Sequence, residues 1–440
     1  MDVSRIARCW FPDAASIGID SWNPGLSGGR VYRIRPAANP SSYVLKCSAP
    51  GAPLARWHCV ASELANAMTQ PNVSSTGLIS DVVSELLLDP ISANQEATHE
   101  SALLAAPLPT ADGRWIVLDQ GRQWQCTAWV DGRACDDSEA MDSDAAARAL
   151  VLGGEAIAKV HARLADLPSP AVFADRTPNE FASADQLPRC FRERMKRLHE
   201  LNPWLSSGSL LRERLPGTAS QWRALLERCV SVDGVHQRSI ERTNNELPAY
   251  QELAHRLMAA TELLVEQGTS IQPMLIAELA ERMESSPQGW RQNWALRDVH
   301  REHILFDESR QTVKGIIDHD AMDWDCPVVD LARWAGSFPV QLEGTLSASR
   351  LDLAVEGYAR ISSANCGVEL ADGARPRSFL IKSPTPAELA LGATLLRLNA
   401  WVGMANWVDW IGLRRRVFFS SPERLSSRIS ALIDSVCHFC

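Results

Sequence analysis

The sequence predicts an α+β protein in two lobes, a small one built on an antiparallel sheet and a large, mostly helical one with a helical insertion. Three observations predict it. Apolar residues alternate at period two after Arg30, run through Tyr43–Cys47 and return at 116–118 and 123–130, as strands of a half-buried sheet do. Beyond Ser143 the pattern turns helical, most continuously over 143–164 and 386–410. Between those helices, residues 294–334 pack two acidic positions, a histidine cluster and a strand pair into about forty residues. The lobes divide into residues 1–130 and 131–440, with the insertion at 168–289.

In chain order, the first element is a glycine turn, Gly25-Leu26-Ser27-Gly28-Gly29, feeding the strand that starts at Arg30. A linker rich in Ala, Pro, Asn and Ser leads to Tyr43–Cys47, an apolar strand whose one charge is Lys46. Backbone N–H groups of a glycine turn can satisfy phosphate oxygens, and an ammonium on a rigid strand adds a point charge. An ordinary hairpin with a solvent-facing lysine has the same pattern. Residues 54–68 hold good helix formers without Gly or Pro, and place Glu63 and His58 on one helix. Glu63 is either a partner for Lys46 or a solvated face residue. The hairpin over 116–130 runs into Asp131-Gly132, which makes Trp129 and Val130 the expected crossing between lobes.

Residues 143–164 form an Ala-rich helix with Leu150, Ile157, Val160 and Leu164 on its apolar face, and its His161 reads as a core histidine. Residues 168–289 are helical pattern interrupted by Pro, Gly and Ser, with acids and bases nearly balanced. In 294–334, Asp298 lies on a turn after the apolar Leu296. His303 comes next, opening the run Ile304-Leu305-Phe306; a second apolar run from Val313 to Ile317 ends on Asp318. The hairpin these runs form brings Asp298, His303 and Asp318 together. Asp320, Asp323 and Asp325 are further acids expected near Asp318. The tail reads as helices over 351–361 and 386–410, where Trp401, Trp407 and Trp410 recur at helical intervals and read as core.

Composition excludes several classes. A chain of 440 residues with 45% hydrophobic content buries a large core, and its net charge of −9 leaves no basic footprint for nucleic acid. No run of about twenty apolar residues and no leader-like apolar segment occurs, so the expectation is a cytoplasmic protein without membrane contact. The 11 cysteines are odd in number and scattered through apolar runs, as reduced core thiols are.

Residues 294–334 resemble the catalytic core of the aminoglycoside phosphotransferase and choline kinase group, small-molecule kinases of the protein-kinase-like fold. That group's pattern is roughly HGDLHxxN, an apolar run, then IDWExAxxGDPxxDLA. Asp298, Val299-His300, Ile317-Asp318, Pro327 and Asp330-Leu331-Ala332 match it in register. The resemblance implies a divergent member and a bilobal kinase-like fold. Its implied activity is ATP-dependent phosphorylation of a small-molecule hydroxyl, with Mg²⁺ or Mn²⁺ as cofactor. Carried over residue by residue, Asp298 orients the acceptor hydroxyl and takes its proton, while Asp318 and His303 hold the metal ion. Lys46 with the Ser27-Gly28-Gly29 backbone positions the phosphates, and Glu63 pairs with Lys46. Trp129 and Val130 meet the adenine, and Asp330 ties the catalytic segment. The chain departs from the pattern where Leu296-Arg297 replace His-Gly, His303 replaces Asn, His319 replaces Trp and Asp325-Cys326 replace Gly-Asp. Arg297 is expected to pair with a carboxylate or to neutralise transition-state charge. An imidazole in place of an amide oxygen suits Mn²⁺ better than Mg²⁺. Two other functions stay open: a nucleotide-binding protein without catalysis, and a metal-dependent hydrolase built on His300, His303, Asp318 and Asp320.

Overall fold

A period-two core explains the smaller lobe. In the computed structural model, which describes residues 2–22, 29–37, 39, 41–48, 103–105, 107–135, 141–165, 187–205, 208–231, 247–286, 290–364, 382–416, 418–419 and 421–439, a short helix α1 (Val3–Ala7) is capped by the Asp2 carboxylate. Strands β1 (Ile17–Trp22), β2 (Arg30–Pro36), β3 (Tyr43–Cys47), β4 (Pro107–Leu108), β5 (Val117–Asp119) and β6 (Arg122–Ala128) follow. They form an antiparallel sheet in the order β1-β2-β3-β6-β4, with β5 on β6. Tyr32, Ile34, Tyr43, Leu45, Cys47, Trp124 and Cys126 fill one face together with Ile6 and Trp10. Alternation therefore turns Lys46 to the opposite face, beside Gln125, its direct partner on β6. Of the residues expected around the nucleotide, Ser27, Gly28 and Glu63 lie outside the described residues, as does the predicted helix 54–68 with His58.

The larger lobe starts with β7 (Arg133–Ala134) and α2 (Ser143–Leu164). Next come α3 (Arg189–Leu205), α4 (Gly208–Arg214), α5 (Ala219–Cys229), β8 (Val230–Ser231) and the 38-residue α6 (Leu247–Glu284). Strands β9 (Asn293–Ala295), β10 (Ile304–Phe306), β11 (Val313–Ile316) and β12 (Asp323–Asp325) lead to α7 (Val328–Gly336) and α8 (Arg350–Ala364). After α9 (Pro386–Trp407), which ends in a π turn, come β13 (Phe418–Phe419) and α10 (Pro422–Phe439). The predicted strand pair is present: β10 and β11 pair Ile304 with Ile316.

Two cores divide this lobe. One joins α2, β9–β11, α7 and α8 around Leu150, Ile157, Phe306, Trp334 and Tyr358. Helices α2 and α8 approach so closely that a methyl on Gly154 would overlap the Ala354 carbonyl, and one on Gly357 the Val151 carbonyl. That contact explains a glycine inside each helix despite its cost in propensity. The second core gathers α3, α5, α6, α9 and α10, with Trp401 donating its indole N–H to Gln272 at 2.8 Å. Trp401 and Trp407 are buried there, as their helical spacing predicts. No described helix is long and apolar enough to cross a membrane.

Candidate active site

Two antiparallel ribbons position the site. Strands β9 and β12 pair Trp294 with Trp324, and β10 pairs with β11, so the turn 296–303 and the turn 317–322 lie side by side. The Ile317 N–H donates to the His303 carbonyl at 2.9 Å and locks the two turns together.

The first turn is held by Asp330, which is fully buried on α7. Its carboxylate accepts from the N–H groups of Leu296 at 2.7 Å and Arg297 at 2.5 Å, and from His161 Nε2 at 2.8 Å. The other nitrogen of His161 lies 3.1 Å from the Tyr358 hydroxyl, which donates to it when Nε2 carries the proton. Asp330 thus has the tying role expected of it. Arg297 adopts φ 67° and Asp318 φ 59°, left-handed values that cost a side chain and persist where neighbours enforce them. At Arg297 the enforcing group is Asp330.

Arg333, one helical turn beyond Asp330, donates from Nε at 3.1 Å and Nη2 at 2.8 Å to one oxygen of Asp298. The sequence reading missed Arg333. Its i+3 relation to Asp330 was the available signal, because two residues so spaced share a helix face. Burial alone would raise the Asp298 pKa, but Arg333, then His300 and His303, outweigh it and hold the carboxyl well below the usual range.

In the second turn, Asp318 and Asp320 both bind the Lys46 ammonium, the latter at 2.5 Å. Gln125 adds a hydrogen bond to Asp320 at 2.9 Å, so two adjacent residues on β3 and β6 reach one carboxylate. Burial works against the Lys46 charge, yet Asp320 and Asp318 prevail and its pKa is raised. Against the same desolvation, Lys46 brings Asp320 down to about 2.

His303 links the two turns. Its Nδ1 lies 2.7 Å from the Asp298 carbonyl, which can only accept, so Nδ1 carries a proton. Nε2 faces Asp318 Oδ2 at 3.5 Å. Two ligands each about 2.1 Å from a shared cation stand roughly 3.0–3.5 Å apart, so this pair fits a bridged divalent ion. Among the described residues no group of three or more His, Cys, Asp and Glu side chains is disposed to hold a metal.

Other expected residues sit differently. Trp129 spends its backbone N–H on the Ser42 carbonyl at 3.0 Å, and its ring lies under the Arg33 guanidinium. Val130 packs against Gly315, where a methyl would come within 2.9 Å of it. Gly29 is buried immediately before β2. Asp323 and Asp325 do not join Asp318. Period two on β12 aims both at α3, where Asp323 meets Arg189 and Asp325 accepts from the Cys190 N–H at 2.9 Å; Asp325 also meets Arg297, from the first turn, at 3.0 Å. Arg297 also binds Glu193, so it is a paired residue, in line with the first of its two expected roles.

Glu302 anchors this region to α10 through Arg424 and, at 2.5 Å, Arg428. Burial opposes its charge, but Arg428 and Arg424 bring its pKa from 4.5 down to about 2. A depressed folded-state pKa stabilises above the unfolded value and loses that contribution as pH falls through the folded one. Stability is therefore expected to drop by roughly 2 kcal/mol from this group between pH 7 and pH 3. Urea unfolding at both pH values checks it: Glu302→Gln should remove that share of the acid slope, and an unchanged slope would refute the assignment.

A family model described as a phosphotransferase enzyme family matches residues 94–362 of this chain. No curated protein sequence matches it. Among solved structures, a microcompartment-associated aminopropanol kinase is similar over 99% of this chain and 94% of its own, at 16% identity and TM-score 0.46. The macrolide 2′-phosphotransferase MphH from Brachybacterium faecium is similar over 98% and 96%, at 12% identity and TM-score 0.43. A spectinomycin phosphotransferase in complex with ADP and spectinomycin is similar over 99% and 93%, at 8% identity and TM-score 0.44.

Proposed function

Because the chain belongs to the phosphotransferase enzyme family, we propose that it transfers the γ-phosphoryl group of ATP to a hydroxyl of a small molecule. The observation that carries this reading is the convergence of Lys46, from one lobe, with Asp318 and its neighbour Asp298, from two adjacent turns of the other.

Phosphoryl transfer asks a protein mainly for positioning and charge. Asp298 uses one oxygen on Arg333, and its Oδ2 accepts from no described residue, so that oxygen is free to orient the acceptor hydroxyl and take its proton. Lys46 brings a fixed positive charge to the phosphates. Asp318 and His303 would hold a divalent ion, which when bound draws charge from the phosphate oxygens. His303 Nε2, unprotonated in the neutral tautomer, favours Mn²⁺ over Mg²⁺ at this position.

Incubation with labelled ATP, either cation and a panel of hydroxyl compounds tests the reading. Acceptor-dependent transfer is expected, with an advantage for Mn²⁺ that His303→Asn reverses and that Mn²⁺ titration followed by electron paramagnetic resonance reads directly. A Mg²⁺ optimum unaffected by the substitution would remove His303 from the metal site. The hold of Arg333 on Asp298 favours a second reading, a nucleotide-binding protein without transfer. ATP binding without ATP consumption under any acceptor would establish that one.

A further inference from the structure

We propose that Asp320, held by Gln125, is the positioning residue of Lys46, keeping the ammonium at the phosphates while Asp318 exchanges that ammonium for the metal ion. The inference rests on the phosphotransfer reading and names how the site fixes its phosphate-binding charge.

The two carboxylates around Lys46 are not equivalent. Asp318 is exposed, sits on left-handed backbone at φ 59°, and divides its oxygens, Oδ1 binding Lys46 and Oδ2 facing His303 Nε2 at 3.5 Å. It is thus shared between the lysine and the pair that fits a bridged ion. An ammonium and a divalent cation repel each other, so one carboxylate cannot serve both at full strength. Asp320 is half-buried and committed to the lysine alone. Its Oδ2 accepts from Lys46 Nζ at 2.5 Å, and its Oδ1 accepts from the Gln125 side-chain amide at 2.9 Å.

Both partners of Asp320 come from one place on the smaller lobe. Lys46 and Gln125 stand directly opposite each other on β3 and β6, on the face turned away from that lobe's core. A carboxylate fastened to this pair is fixed with respect to the sheet, and a lysine stem that is flexible by itself gains a defined direction. An ammonium has three donors. Two of them go to Asp318 and Asp320, and the third to no described residue. Release from Asp318 leaves Lys46 two donors for phosphate oxygens, with Asp320 still holding it.

Bare charge predicts the opposite sign, because a further carboxylate beside the phosphates repels them. That contrast supplies the test. ADP is titrated calorimetrically in EDTA onto the wild type, Asp320→Asn, Lys46→Met and the double variant. Asp320→Asn should weaken ADP binding about 3- to 10-fold, the effect of losing about one hydrogen bond. In the Lys46→Met background the same change should cause no loss and, with repulsion relieved, a slight gain. Without nucleotide, Mn²⁺ titration followed by electron paramagnetic resonance should show Lys46→Met binding the ion about 10-fold more tightly, since Asp318 has lost its competing ammonium. Should Asp320→Asn fail to fold, Gln125→Leu carries the same comparison with a smaller loss of about 2- to 3-fold. Equal losses of ADP affinity in both backgrounds, or none in the wild type, would overturn the role of Asp320. Mn²⁺ affinity unchanged or lowered by Lys46→Met would overturn the exchange at Asp318. Failure of the wild type to bind ADP with or without Mn²⁺ would instead defeat the phosphotransfer reading.

Discussion

Asp298→Asn is expected to lower phosphoryl transfer by about 10²- to 10⁴-fold and to leave nucleotide affinity near the wild-type value. The amide keeps an oxygen for the two Arg333 N–H donors, so the local geometry can persist while the proton acceptor is gone. Because Arg333 holds the carboxyl ionised well below neutral pH, the loss should be uniform from pH 6 to 9 and should not reproduce a titration. Measuring kcat and nucleotide Kd side by side separates the outcomes. A parallel collapse of nucleotide binding and of the thermal midpoint would make Asp298 a structural partner of Arg333 and nothing more.

Asp330→Ala should be the most damaging substitution for stability, at roughly 3–5 kcal/mol. Three donors, the N–H groups of Leu296 and Arg297 and the Nε2 of His161, lose their acceptor at once in a fully buried place. The left-handed backbone of Arg297 loses its support in the same step. Urea unfolding reads the effect directly. A loss below about 1 kcal/mol would mean that the turn before Asp298 is held by other groups.

Much of the fold was legible because its signals are local. Period-two runs gave β3 and the β10–β11 hairpin, and the Ala-rich stretch gave α2 with the bounds observed. The same locality explains the omissions. α1 is only five residues long, and α6 looked interrupted because Pro273 lies inside it. At the site, Asp298, His303 and Asp318 could be grouped from sequence because one short hairpin joins them. Glu193 and Arg189 could not, since their partners Arg297 and Asp323 are more than a hundred residues away and the pairing exists only once α3 is docked. Asp323 and Asp325 were misplaced because proximity in sequence was weighed above strand alternation. On β12 their shared parity sends both away from Asp318.

The chain leaves the core around the candidate site after α2 and re-enters it at β9, and the Asn293 side-chain amide donates to the His161 carbonyl at 3.0 Å across that gap. Entry and exit are thus adjacent. For a segment closed in this way, doubling its length costs only about 0.6 kcal/mol of chain entropy. Length added to the links between the intervening helices, rather than to the helices themselves, is therefore cheap in chain entropy. What any such change must preserve is the hold of Arg189 and Glu193 on Asp323 and Arg297 together with the core that α3, α5 and α6 share with α9 and α10.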